Sequence, residues 1–199
     1  HIDSILAVTF TNKAAIEMRE RLSLLLRRPI RNMWVGTFHG LSHKILRTHY
    51  IEANLTKQFQ ILDSQDQFRI IKRIMKENQI DESKFPVRKI QWYINQQKDE
   101  GIKADDIDSG YNYFIKQSVR VFKIYDEHCQ KNDLIDFAEL LLRSYEVLKN
   151  NKDLLSHYQN RFKHILIDEF QDTNTIQYKW IKQLYSENNN LFCVGDDDQ

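Results

Sequence analysis

The chain has 199 residues and a formal net charge of +1, with 41% hydrophobic and 29% charged residues. That is an ordinary globular balance, long enough for a real core in one large domain or two small ones. Five glycines and two prolines leave little material for linkers, no repeat recurs at solenoid periods, and no apolar run approaches the roughly 20 residues that span a bilayer.

Ile5 to Phe10 is a short apolar run, the pattern of a strand buried on both faces. Thr11-Asn12 then caps a helix with Ala14, Met18, Leu22 and Leu25 on one face, and Pro29 ends it. Met33-Trp34-Val35 forms a second strand leading into Gly36-Thr37-Phe38-His39-Gly40, and a helix follows through Leu41, Ile45 and Leu46. From about residue 51 to 160 helix succeeds helix. Asp63-Ser64 caps a segment carrying Phe68, Ile71, Ile74 and Met75, and Ser64 with Gln67 has the spacing of a capping box. Pro86 opens a helix with Val87, Ile90 and Ile94 inward and Gly101 beyond its end. Phe114, Phe122, Tyr125 and Cys129 stripe the next, and Phe137, Leu140, Leu141 and Leu148 the one after. These aromatics read as helical core rather than a base-stacking platform.

The last forty residues return to α/β. Ile165-Leu166-Ile167 is a buried strand ending in Asp168-Glu169, Thr173 to Thr175 caps a helix carrying Ile176, Trp180 and Leu184, and Leu191 to Gly195 is the next strand. Strand, helix and strand in so short a span make a βαβ unit with parallel strands. Polar residues gather at every strand tip, at Thr9–Asn12, Thr37–His39, Asp168–Asp172 and Asp196–Gln199. In open parallel sheets that edge is where ligands bind.

Charge is unevenly spread. Residues 1–50 hold eight Lys/Arg against three Asp/Glu, and residues 161–199 hold four against seven. Such a division suits a site with one face toward phosphates and another toward a metal, though ordinary solvated faces produce it too. Cys129 and Cys193 lie far apart in apolar surroundings and read as buried free thiols, a usage that fits the cytosol.

An acidic residue at the tip of a buried strand can hold Mg²⁺ beside nucleotide phosphates, and a neighbouring Glu can orient and deprotonate the attacking water. Asp168-Glu169 fits that logic or, alternatively, closes the strand as a solvated turn. Phe10 offers a stacking face to a base and the helix end beside it offers N–H groups to phosphate; a buried Phe with an Asn cap is the other reading. Thr37 and His39 could bond phosphate or sugar. His39 and His43 have i, i+4 spacing, but no third ligand makes a zinc site. No G-x-x-x-x-G-K-[ST] occurs, so the metal site has no visible phosphate cradle.

In this order the clusters resemble a known family. ILAVTFTNKAAIEMRERL (residues 5–22) resembles motif Ia of the UvrD/PcrA/Rep family of superfamily 1 helicases, and WVGTFHGLSHKILR (34–47) its next DNA-facing motif. ILIDEFQDTNTIQY (165–178) resembles motif II, and LFCVGDDDQ (191–199) the start of motif III. The resemblance implies an α/β, predominantly helical fold. A RecA-like parallel sheet (domain 1A, 1–40 and 161–199) would carry an inserted all-helical domain (1B, 41–160). It implies ATP and Mg²⁺ as cofactors, Asp168 as metal ligand, Glu169 as the base activating water, and Gln199 sensing the γ-phosphate. Gln171 would sit on the nucleotide side and link it to the DNA site. Phe10, Asn12, Thr37 and His39 would contact single-stranded DNA.

The parent would be an ATP-driven cytoplasmic 3′–5′ DNA helicase, working on single strands and single-/double-strand junctions alongside repair or replication proteins, with no membrane role. A RecB/AddA-type helicase–nuclease subunit and a non-catalytic DNA-binding relative are the alternatives. His1-Ile2-Asp3 has neither an initiating Met nor a signal pattern, and both ends read as cut. By that reading the phosphate-loop strand precedes His1, the remainder of motif III and a second motor domain follow Gln199, and the 199 residues alone have no ATPase. They would also be a marginal folded unit, best ordered in 1B.

Overall fold

A computed structural model describes residues 2–27, 30 and 33–196. The chain divides into two compact units, one formed by residues up to 49 with those from 143 onward, the other by residues 50–142.

The first unit is built on four parallel strands, β1 (Ile5–Thr9), β2 (Trp34–Thr37), β5 (His164–Ile167) and β6 (Asn190–Cys193), in the order β2-β1-β5-β6. This is the expected α/β arrangement. The central strand β1 pairs with β2 through Ala7 opposite Val35 and with β5 through Ala7 opposite Leu166. Being flanked on both sides and both faces, Leu6, Ala7 and Val8 are almost wholly buried.

Helices α1 (Asn12–Leu26), α2 (Phe38–Thr48), α7 (Lys152–Arg161) and α8 (Thr175–Leu184) belong to the same unit. On one face α1 packs Met18, Leu22 and Leu26 against Ala7, Met33 and Val35. Its inward line therefore runs through Ala15, Met18, Leu22 and Leu26, whereas Leu25, expected inside, is 81% exposed. A 3.6-residue repeat passes through those four positions and leaves residue 25 a turn-third off the stripe. On the opposite face Trp34 meets Tyr158 and Phe162 edge-on at 5.5 and 5.3 Å, and Phe38 meets Trp180 at 6.1 Å. Helix α7 falls at the end of the stretch expected to be helical, but no apolar stripe marks it, because its sequence is largely polar. Helix α8 starts on a full capping box, with Asn174 accepting from Gln177 N–H and Gln177 accepting from Asn174 N–H. The stop expected at Pro29 lies outside the described residues.

The α1-side face is covered only over β2 and β1. Leu166 and Phe192, which share the face row of Ala7 and Val35, remain 40% and 53% exposed, and an apolar cavity of about 380 Å³ opens there. β5, expected as a buried strand, is thus buried on one face only. Cys193 on β6 is exposed rather than buried, because no described strand lies beyond β6.

The second unit contains α3 (Ser64–Glu77), α4 (Val87–Asp99), α5 (Tyr113–Lys131) and the start of α6 (Phe137–Asn150). One two-residue parallel ladder joins β3 (Gln60–Ile61) to β4 (Leu134–Ile135). Ile71, Ile74, Met75, Val87, Ile90, Ile94, Phe122, Tyr125 and Cys129 form its core, so the aromatic stripe is core as expected. Phe137 is the exception, 53% exposed at the first position of α6. The capping box expected of Ser64 and Gln67 does not form. Asp63 caps α3 by accepting from the N–H groups of Gln65 and Asp66 at 2.8 Å, and Gln67 turns inward to bond Asn95, Gln91 and Asp136.

That inward turn serves a buried ionic cluster. Lys98 Nζ, 1% exposed, lies 3.0 Å from Asp136, 3.1 Å from Glu139 and 3.1 Å from Asp126, and Tyr125 Oη donates to Asp136 at 2.8 Å. Burial pushes the Asp126 carboxyl up from its ordinary 3.8 to about 6, against the downward pull of Lys98, while Glu139 and Asp136 add to the rise. A folded-state value above the unfolded one contributes stability that is fully present below about pH 4 and is lost as pH rises through about 6. Thermal melting of Asp126→Asn is therefore expected to show a flatter pH dependence than wild type between pH 4 and 7. Parallel curves for the two proteins would remove Asp126 as the titrating group.

Candidate nucleotide and nucleic-acid site

Parallel pairing puts all four strand tips on one edge of the sheet, in the spatial order Thr37–His39, Thr9–Asn12, Asp168–Asp172 and Val194–Asp196. Residues 159 positions apart in sequence thereby become neighbours, and Thr9 Oγ1 donates to Asp168 Oδ2 at 3.4 Å. Asp168 N–H also donates to Val8 O at 3.0 Å, extending the β1–β5 ladder by one rung and fixing where the carboxylate leaves the strand.

Glu169 follows with φ 51° and ψ 46°, in the left-handed region that costs a non-glycine residue roughly 1–2 kcal/mol. Neighbouring bonds hold it there. Asp172 N–H donates to Glu169 O at 3.0 Å, Phe170 N–H to Val194 O at 2.9 Å, and Gln171 Nε2 to Glu169 Oε2 at 2.6 Å. The bend swings the Glu169 carboxylate out of the line of β5. Gln171 Oε1 accepts from Asp196 N–H at 3.2 Å, so one amide spans the tips of β5 and β6. Gln199 lies outside the described residues, as do Asp197 and Asp198.

On the other half of the edge, Phe10 is partly exposed and packs edge-on against buried Phe38 at 5.4 Å, which anchors one side of its ring. Thr11, not Asn12, caps α1, accepting from Ala14 N–H at 3.1 Å. Asn12 is left exposed at the mouth of a cavity of about 650 Å³ between α1, β2 and α2. Thr37 caps α2 by accepting from Gly40 N–H at 3.2 Å, which leaves its hydroxyl proton to donate elsewhere, and Thr37 lines the same cavity. Burial lowers the His39 pKa, which favours the neutral ring. His43 accepts from Arg47 Nε at 2.9 Å, and among the described residues no cluster of His, Cys, Asp or Glu is arranged to hold a metal unaided.

Two cavity residues carried no individual expectation. Arg19 donates Nε and a terminal N–H to Val35 O at 3.0 and 2.7 Å, and Lys44 sits 4.2 Å over the Trp34 ring. Burial lowers the Lys44 pKa, and Arg161 and Arg19 lower it further. The basic excess of residues 1–50 was their only sequence signal. Spacing alone does not place positions 19 and 44 in the lining of one cavity.

Comparisons with known proteins give the chain a family. Residues 1–199 match the family model described as the UvrD/REP helicase N-terminal domain. The chain is similar to the protein named DNA helicase II of Escherichia coli (strain K12), 52% identical over 196 residues that cover 98% of this chain and 27% of that protein. It is 40% identical over 202 residues to the Probable DNA helicase II homolog of Rickettsia felis (strain ATCC VR-1525 / URRWXCal2), covering 98% and 30%. It is 37% identical over 197 residues to ATP-dependent DNA helicase PcrA of Bacillus subtilis (strain 168), covering 98% and 27%. The chain spans less than a third of the length of these curated relatives. With its parallel sheet, its acid pair at a strand tip and a family match along its whole length, the chain belongs to the UvrD/REP helicase N-terminal domain family.

Proposed function

We propose that this chain supplies part of the ATP-hydrolysing and DNA-gripping machinery of an ATP-dependent DNA helicase that moves 3′ to 5′ along single-stranded DNA in the cytoplasm. The observation that carries the reading is the adjacency of the Thr9–Asn12 and Asp168–Glu169 tips, joined by the Thr9–Asp168 bond. A nucleotide-facing acid pair and a base-facing aromatic on neighbouring strands give ATP chemistry a short mechanical route to DNA.

The donor set at the acid tip fits Mg²⁺. It consists of hard oxygens, the Asp168 carboxylate and the Thr9 hydroxyl, and Mg²⁺ is typically bound through one or two carboxylates plus waters and phosphates. When bound, the ion supplies charge neutralisation at the β- and γ-phosphates. Asp168 would hold the metal, Glu169 orients and deprotonates the attacking water, and Gln171 sits on the nucleotide side and links it to the DNA site. Gln199 contacts the γ-phosphate. Phe10 stacks on a base, while Asn12, Thr37 and His39 bond the strand around the basic cavity of Arg19 and Lys44. In this reading the sheet unit corresponds to the motor domain 1A and the 50–142 unit to the helical domain 1B, whose bounds the sequence put at 41–160.

The test is Phe10→Ala in the full-length protein, read as anisotropy of a fluorescein-labelled oligo(dT). A lost stacking face of roughly 1–3 kcal/mol weakens single-strand binding about 5- to 150-fold. Because Phe10 carries no charge, the loss should be the same at every salt concentration, leaving the salt slope unchanged. Wild-type affinity with unchanged ATP binding would make Phe10 a core residue only.

A further inference from the structure

We infer that Gln171 is a positioning residue for hydrolysis, and that Gly195 is a glycine because any side chain there would evict the Gln171 amide. The inference rests on the assignment of Glu169 as the base and adds what holds that base in place.

The Gln171 amide is used at both ends, and chemistry fixes which end faces which way. The Glu169 carboxylate can only accept, so it takes the Nε2 donor at 2.6 Å; the Asp196 backbone N–H can only donate, so it takes Oε1 at 3.2 Å. Glutamine is the one side chain of this length with both a donor and an acceptor. An isosteric Glu would keep the bond from Asp196 and turn the bond to Glu169 into a repulsion. The two strand tips are already zipped by backbone bonds, Val194 N–H to Ile167 O at 2.8 Å and Phe170 N–H to Val194 O at 2.9 Å. Those bonds place the Gly195 Cα directly against the amide. A Cβ built on Gly195 would lie 2.5 Å from Gln171 Oε1, a distance real Cβ atoms do not tolerate, but 3.4 Å from the backbone nitrogens of Gln171 and Phe170, where small adjustments suffice. The conflict is thus with the amide, not with the backbone. Gly195 does not have a positive φ, so conformational freedom is not what the position requires.

The consequence concerns Glu169. Its backbone sits in the left-handed region, and the Gln171 bond fixes the direction of its carboxylate. A base displaced by about 1 Å can lose on the order of 100-fold in rate. The other end of the same amide ties the base to the tip of β6 at Asp196.

The experiment is a double-mutant cycle in the full-length protein, measuring DNA-stimulated kcat, the KM for ATP and affinity for a non-hydrolysable ATP analogue. Gln171→Ala, Gln171→Glu and Gly195→Ala should each lower kcat about 10- to 100-fold while KM and analogue affinity stay within about twofold. The combined Gly195→Ala/Gln171→Ala protein should be no slower than the slower single variant, because the added methyl then has nothing to evict. Multiplying losses in the double variant would overturn the inference, since Gly195 would then matter for another reason. Wild-type kcat in Gln171→Ala or Gln171→Glu would overturn it as well, and neither substitution depends on the fit at Gly195. Glu169→Gln separates the two levels. Turnover surviving there removes the base assignment and this inference with it, whereas a dead Glu169→Gln beside a fully active Gln171→Ala overturns the inference alone.

Discussion

Full-length protein carrying Glu169→Gln should bind ATP normally and hydrolyse it about 10²- to 10⁴-fold more slowly, the range a positioned general base contributes. The substitution preserves the size of the side chain and removes only its capacity to take a proton. The amide can still accept from Gln171 Nε2 through its own oxygen, so the strand tip and the left-handed bend at residue 169 should persist. Loss should therefore appear in kcat and not in KM, the signature of an interaction made mainly in the transition state. Phosphate release measured with saturating single-stranded DNA, beside equilibrium binding of labelled ATP, checks both halves. A variant that turns over at the wild-type rate means another group activates the water. One that no longer binds ATP means that Glu169 holds the nucleotide rather than the water.

The second large effect is structural. Lys98→Met should destabilise the 50–142 unit by about 3–5 kcal/mol, the usual cost of removing one partner from a buried ion cluster. Burial alone would pull Lys98 down, but Asp136, Glu139 and Asp126 outweigh it and hold the ammonium well above its usual value. Without that cation, Asp136 and Glu139, with side chains 4% and 7% exposed, are left as buried like charges beside Asp126. Methionine supplies nearly the same volume, so the loss is one of charge and not of packing. Urea unfolding of wild type and variant at pH 7 and pH 5 measures it. The gap should narrow at the lower pH, where Asp126, whose carboxyl burial pushes up to about 6, takes a proton and one of the three like charges is removed. An unchanged midpoint at pH 7 would show that water reaches the cluster freely. The cluster joins α4, α5 and the start of α6, so the variant also asks whether the helical unit folds as one body.

Much of this protein is legible in its sequence, and the legible parts are the local ones. The run through Leu6, Ala7 and Val8 is apolar because β1 is covered on both faces, and Asp63 and Asn174 announce helix starts because their side chains close onto N–H groups two or three residues on. The acid pair at 168–169 and the polar tips at 9–12 and 37–39 can be picked out by the same means, since each is a short stretch following a strand. Periodicity misled where it was read one residue out of phase, at Leu25, and where a residue at the right spacing had a stronger partner elsewhere, at Gln67.

What the tertiary structure decided is which of these stretches touch. The strand order β2-β1-β5-β6 is a matter of parallel pairing between segments up to 159 residues apart, and it alone brings Thr9 to Asp168. The span of Gln171 between Glu169 and Asp196, the steric demand on Gly195, and three carboxylates converging on Lys98 are of the same kind. So is the open face at Leu166 and Phe192, which an apolar run cannot distinguish from a covered one. Capping, alternation and helical repeat act over a few residues and leave their mark in composition. Non-local contacts are selected by the burial of whole faces and the closure of long loops, and no single segment carries that information.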